Sequence, residues 1–398
     1  MQNYKDSAID RLSDTSGGME IWWDSSPLIY KSWSKKVLDK SDDSYKSVMD
    51  DQLSKLFNYS KPEEMVFDGV TTNPRLTSKV LELIPEDVNP IVDRMIKENP
   101  VKTNYEIAWE VYKAITSEGT KLYMPLFEKS GYKRGYVSAQ VDPNQITNIK
   151  EMLFQGLELK KLGDNIMIKC PGSKEGIYVM QILTSLGIPT NSTLVFNVPQ
   201  AIAVAEGIKK GYELGLSKGV DYSKWRSVIT IMLARFEDMP DYKESAKSVG
   251  IELNDELKRW SGIAVAKKAL SILDDPKNGY KSKLLLCSSR IGPTPDVVYH
   301  LEKIAGANMV FTINPDMIAD FNRLYREKEV TSKWEEPVPE EIMSKLSKIP
   351  YFQKGYDVNG IKDDDFINLS AFQYTANEFK DSMKFIEDYV IERKKLIK

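Results

Sequence analysis

The sequence predicts an α/β protein built as a (β/α)8 TIM barrel with inserted helices and a helical C-terminal extension. Short β-rich apolar runs recur near residues 19–25, 65–71, 134–141, 165–171, 189–196, 226–233, 283–288 and 308–313. Helix-period stretches separate them, among them 147–162, 174–186, 198–214, 254–273 and 293–304. Such alternation implies a parallel sheet covered by helices, and eight strands suit closure into a barrel with its chemistry at the strand C-terminal ends. A doubly wound open sheet satisfies the same periodicity, which records element type and not closure.

Taken in order, the strands end in polar residues where an apolar core should otherwise continue. The first runs through Ile21-Trp22-Trp23 into Asp24, and the second ends Thr71-Thr72-Asn73-Pro74. Roughly sixty residues then precede the third strand, enough for two or three inserted helices. The third carries Ser138 and Gln140, and the fifth carries Asn191 and Thr193. The sixth carries Thr230 and leads to Arg235; after another long gap the seventh ends Cys287-Ser288-Ser289-Arg290. From about residue 321 the tail adds two or three helical patterns, the last over 376–397. With no Gly/Pro/Ser-rich linker and no repeat, residues 1–18 read as an N-terminal segment and 19–398 as one elaborated domain.

Composition excludes several function classes. The 55 Lys and Arg nearly balance 58 Asp and Glu, which favours neither nucleic acid nor a membrane surface. No apolar stretch approaches the roughly 20 residues of a membrane span, and the polar start has no signal-peptide core. Two cysteines in 398 residues suit a reducing compartment, so a cytoplasmic location is expected. The single histidine, His300, falls in the 293–304 helical pattern and reads as partly exposed. Read as a partly exposed helical residue, it leaves no His-based triad among the expected mechanisms, and a single histidine excludes multi-His metal sites.

The fourth strand holds the most informative residue. Asn165-Ile166-Met167-Ile168-Lys169-Cys170-Pro171 delivers one amine to a strand end, followed by Gly172-Ser173-Lys174-Glu175-Gly176. A buried amine is costly unless its neighbours pair it or its pKa falls, and a lowered pKa is what Schiff-base chemistry on a ketose requires. Each polar strand end has a plain structural reading: Asp24 as a helix cap, Asn73-Pro74 as a turn, Thr193 as an ordinary strand residue. Their convergence on one barrel mouth with a lysine argues for a site. Cys170 and Cys287 read as small packing residues.

These blocks resemble the transaldolase family of class I aldolases. The resemblance runs through Thr71-Thr72-Asn73-Pro74, Gly135-Tyr136-Val137-Ser138-Ala139-Gln140-Val141-Asp142, Ile166-Met167-Ile168-Lys169 with Glu175-Gly176, and Asn191-Ser192-Thr193-Leu194-Val195-Phe196. Trp22-Trp23-Asp24 and the long tail make it most similar to the larger bacterial members. The resemblance implies cofactor-free and metal-free transfer of a dihydroxyacetone unit from a ketose phosphate to an aldose. Lys169 matches the Schiff-base lysine and Asp24 the carboxylate that shuttles protons near the substrate hydroxyls. Asn73 and Asn191 match the side chains that orient the ketose, and Thr193 the threonine that holds the catalytic water. Thr230 takes the place of a substrate-contacting serine, while Arg235, Ser288 and Arg290 match the phosphate-binding group. Sugar phosphates are thus the expected partners, with no nucleic acid or membrane, and an oligomer is left open.

Gln140 departs from the pattern, because the matching transaldolase position is normally Glu. An amide cannot take a proton, so the acid/base role is lost, moved to Asp24 or altered. The related fructose-6-phosphate aldolases also carry Gln there but pair it with a Tyr on strand six, where this chain has Met232. Transfer stays the expected reaction, with a fructose-6-phosphate-aldolase-like lyase and a catalytically silent sugar-phosphate-binding relative as the alternatives.

Overall fold

The structure, a computed structural model, describes residues 4–397. Eight parallel strands close into a barrel: β1 Glu20–Trp23, β2 Phe67–Thr71, β3 Tyr136–Gln140, β4 Ile166–Pro171, β5 Thr190–Val195, β6 Ser227–Met232, β7 Ser282–Cys287 and β8 Val310–Ile313. β1 closes the ring by pairing with β2 on one side and β8 on the other. All eight expected strands are present, and closure decides against the open sheet.

Why the strands sit as they do is visible at two glycines. A Cβ on Gly69 would come within 2.7 Å of the Trp22 ring, so the large indole of β1 can lie against β2 only because that position lacks a side chain. A Cβ on Gly176 would stand 2.1 Å from the Pro171 carbonyl oxygen, so the helix Lys174–Ser185 can seat tightly against the end of β4. Ser173 caps that helix by accepting from Gly176 N at 3.1 Å.

The long gaps hold helices. Pro74–Leu83, Pro85–Glu98 and Asn104–Lys129 lie between β2 and β3, and Leu233–Glu237, Pro240–Ser248 and Asp255–Leu273 between β6 and β7. Near the N-terminus, the short helix Ala8–Ser13 packs on Pro315–Leu324, where Asn322 Oδ1 accepts from Ile9 N at 3.0 Å. The tail contributes Glu340–Leu346, Pro350–Tyr356 and the 27-residue helix Ser370–Leu396. That last helix packs on Pro74–Leu83 and Asn104–Lys129. Arg393 fixes it through two bonds to Asp93, at 2.6 and 2.8 Å, and Tyr389 donates to Asn89 at 2.7 Å.

One expected helix is not formed as read. Of the pattern over 293–304, only Tyr299–Glu302 is helical. Pro293 and Pro295 disfavour helical backbone at the residues before them, so the segment starts as a loop. His300 is fully buried and not partly exposed, its ring held between Glu237 and the Arg290 backbone. No helix among the described residues is long and apolar enough to cross a membrane.

Candidate active site

The strand C-terminal ends surround a cavity of about 250 Å³. Its walls include Asp24, Asn73, Lys169, Thr193, Thr230, Arg235, Ser288 and Arg290, drawn from six strands or the segments that follow them. Two larger grooves, of about 980 and 690 Å³, lie in the outer helical layer beside the tail. Neither has a buried lysine among its lining residues; the barrel mouth does.

Lys169 is 4 % exposed, the third strand residue after Ile166. Its register partners are Gln140 on β3 and Asn191 on β5, so all three side chains point the same way. Burial drives the Lys169 amine down from its ordinary range, and the nearby Asp24 carboxylate opposes that fall. Asp24 in turn is pushed up by burial, against the pull of Lys169 and a hydrogen bond from Thr71. That bond, Thr71 Oγ1 to Asp24 Oδ1, is 2.7 Å, and the Thr71 and Thr312 hydroxyl oxygens lie 2.5 Å apart. Burial thus pushes each group toward its neutral form, and the attraction between the two charges opposes that on both sides.

β5 is built to aim Thr193. Its pairing with β6 slips between Ser192 and Val195, and Leu194 takes a φ of 55°, uncommon for a leucine. Gln200 stabilises this bulge: its Nε2 donates to Leu194 O at 2.9 Å and Gly172 O at 3.1 Å, while its Oε1 accepts from Phe196 N at 3.0 Å. Ser288, at the end of β7, also has a positive φ, 61°. Backbone held in such regions by surrounding bonds is typical of functional sites.

Asn73 caps the helix Pro74–Leu83 with Oδ1, accepting from Leu76 N at 2.9 Å, and lines the cavity as well. Its structural and functional readings therefore coexist. Asp24 caps no helix; Ser26 caps the short turn that follows.

Two of the expected site residues are buried beside Lys169 and are not among the residues that line the cavity. Asn191 is fully buried, with Nδ2 donating to Ser138 Oγ at 2.9 Å and Oδ1 accepting from Thr230 Oγ1 at 2.6 Å. Gln140 receives its backbone anchor from Tyr112, whose hydroxyl accepts from Gln140 N at 2.7 Å. Its side-chain Oε1 is buried without a hydrogen-bond partner.

The family model for transaldolase/fructose-6-phosphate aldolase matches residues 49–363, most of the chain. The chain belongs to this family. Transaldolase from Thiobacillus denitrificans is 28% identical over 262 residues, 62% of this chain and 71% of that protein. Transaldolase from Trichodesmium erythraeum is also 28% identical, over 297 residues, covering 67% of this chain and 76% of that one. Transaldolase 2 from Streptomyces avermitilis is 28% identical over 183 residues, 45% of this chain and 48% of the relative.

This transaldolase-family barrel also places residues in its mouth that sequence reasoning did not single out: Arg75, Lys79, Thr312, Asn314, Asp316, Thr375 and Phe379. Thr312-Ile313-Asn314-Pro315 repeats the Thr-x-Asn-Pro pattern of Thr71-Thr72-Asn73-Pro74, and Asn314 caps its own helix through Met317 N at 3.0 Å. That repetition was a usable signal. Thr375 and Phe379 had none, because they come from the C-terminal helix, far along the chain from the strands they meet.

His300 serves the same mouth from behind. Its Nδ1 accepts from Arg290 N at 3.0 Å, which leaves Nε2 to donate to Glu237 Oε1 at 2.8 Å. Glu237 also pairs with the buried Arg259. The histidine thus anchors the backbone of the loop that carries Ser288 and Arg290.

Proposed function

We propose that the protein transfers a three-carbon dihydroxyacetone unit from a ketose phosphate to an aldose acceptor through a Schiff base on Lys169. The general assignment, a transaldolase-family enzyme, rests on family membership. The finer reading is carried by one observation: a lysine only 4 % exposed, at a strand C-terminal end, shares the cavity wall with the Asp24 carboxyl, burial driving the amine down and the carboxyl up.

In this reading the neutral Lys169 amine attacks the ketose carbonyl, and the carbinolamine loses water to give an iminium. The C4 hydroxyl gives up its proton as the C3–C4 bond breaks, and the bonding pair moves onto the iminium carbon framework as an enamine. The aldehyde fragment leaves. An acceptor aldose then takes the enamine's electron pair at its carbonyl carbon, its oxygen gains a proton, and water hydrolyses the new iminium to free Lys169. Asp24 is the proton carrier best placed for these steps. Gln140 can position a water or hydroxyl through its unpaired Oε1, but it cannot accept a proton. Thr193 would hold that water, Asn73, Asn191 and Thr230 would orient the ketose directly or through one another, and Ser288 with Arg235 and Arg290 would bind the phosphate.

Borohydride reduction with fructose 6-phosphate, read by intact mass and peptide mapping, tests the assignment. The adduct is expected on Lys169 alone. Lys174 is exposed and paired with Asp364 at 2.6 Å. Lys160 and Lys267, which burial brings down to about 8, are held by backbone carbonyls outside the barrel mouth. Label on any of these three would sink it.

A lyase is the second reading, favoured by Gln140. Met232 argues against it, because no strand-six tyrosine stands ready to protonate the enamine. A shielded enamine should await an aldehyde. Free dihydroxyacetone released equally fast with and without erythrose 4-phosphate would replace transferase by lyase.

A further inference from the structure

Arg235, one of the expected phosphate ligands, already faces an anion from the protein itself. Glu378, on the C-terminal helix Ser370–Leu396, brings Oε2 to 2.5 Å from Arg235 Nη2, and its Oε1 accepts from Arg75 Nη1 at 3.1 Å. Its helix neighbours Thr375 and Phe379 line the cavity with both arginines. The pair is sheltered, the side chains of Arg235 and Glu378 being 15 % and 25 % exposed.

The pairing is incomplete. Arg235 Nε and Glu378 Oε2 are both buried without a properly aligned hydrogen bond, so the guanidinium's fork is not matched by the carboxylate's two oxygens. A guanidinium reaches its strongest geometry with a bidentate anion, and a phosphate group brings more charge and more oxygens than a single carboxylate. Arg290, by contrast, has its nearest carboxylate, Asp238, at 3.7 Å.

We infer that Glu378 is a resident anion that the substrate's phosphate displaces from Arg235 and Arg75. It offsets part of the charge of the two arginines while the mouth is empty, and it sets the affinity for phosphorylated donors from the C-terminal helix. This rests on the sugar-phosphate reading proposed above, and specifies which protein group competes with that ligand. An unphosphorylated ketose brings no anion to exchange and should be indifferent to Glu378.

The test compares the full-length protein with Glu378→Gln, which keeps shape and helix propensity, and with Glu378→Ala as a second variant. Calorimetric titration with inorganic phosphate reads the anion site independently of any covalent chemistry. Both variants should bind phosphate roughly fivefold more tightly, the scale on which one partly sheltered ion pair competes. The fructose 6-phosphate concentration that half-saturates borohydride trapping on Lys169 should fall by the same factor, and that for fructose should not move. Unchanged or weaker phosphate binding in both variants would overturn the inference and make Glu378 a positioning residue for Arg235. An equal fall for fructose would also overturn it. Absence of any Lys169 adduct in the unaltered protein would defeat the Schiff-base reading, while the phosphate titration would still decide the role of Glu378.

Discussion

Lys169 and Asp24 perturb each other in opposite senses, and this yields a signed prediction. The Asp24 carboxylate supports the ammonium form of Lys169, so Asp24→Asn removes that support and lets burial lower the amine further. The rising limb of the pH profile for adduct formation should then move to lower pH. Turnover should fall about a hundredfold to ten-thousandfold, the usual contribution of a general acid/base group, with donor affinity nearly unchanged. A limb that moves to higher pH would show that Asp24 does not act on Lys169 electrostatically. Arg290 offers a second test at this scale. Losing a charge-assisted contact costs about 2–3 kcal/mol, or roughly a hundredfold. Arg290→Ala should therefore lose that factor in affinity for phosphorylated donors and little for unphosphorylated ones; equal losses would make it structural.

Among the elements, the C-terminal helix does most that local sequence could not announce. Its inward face, Phe372, Thr375, Ala376, Phe379 and Met383, is buried, and two of those residues reach the cavity. Removing a buried methionine side chain leaves a void as well as losing apolar burial, so Met383→Ala should cost about 2–5 kcal/mol. A denaturant midpoint measures this. Because Met383 lies one turn beyond Phe379 on the same helix, the half-saturating donor concentration should rise in native buffer too. A destabilised variant with unaltered donor saturation would show that the helix tolerates loosening without disturbing the mouth.

At the scale of the whole molecule, the two ends of the barrel divide their work. The N-terminal end is closed by Glu20, whose Oε1 accepts from Arg226 at 2.6 Å and Lys283 at 2.7 Å. Burial alone would raise the Glu20 carboxyl, but Arg226 and Lys283 outweigh it and hold the group at about 2. Folded protein therefore keeps Glu20 ionised where the unfolded chain, near the ordinary 4.5, would protonate it. Its contribution, up to about 3 kcal/mol, is present above pH 4.5 and is lost as pH falls toward 2. Glu20→Gln should be less stable than the parent at neutral pH and should flatten the acid limb of the stability profile. An unchanged acid limb would place the acid sensitivity elsewhere.

The eight strands, their alternation with helices and the polar residues that end them were already legible along the chain, because periodicity and strand-end composition are local properties. Lys169 was legible there too, since an amine closing an apolar run conflicts with burial wherever the run folds. Ring closure, the slip in β5 that turns Thr193 and the approach of Asp24 to Lys169 required the tertiary structure. The same holds for His300: Pro293 and Pro295 were readable, but burial between Glu237 and the Arg290 backbone depends on elements remote in sequence. Asn191 and Gln140 were visible as polar strand residues, yet only packing decided that they are buried beside Lys169. Glu378 was one charged residue on an amphipathic helix until that helix crossed the barrel mouth. Charge and type are written along the chain, whereas the partner that neutralises a charge is chosen by which surfaces the core brings together.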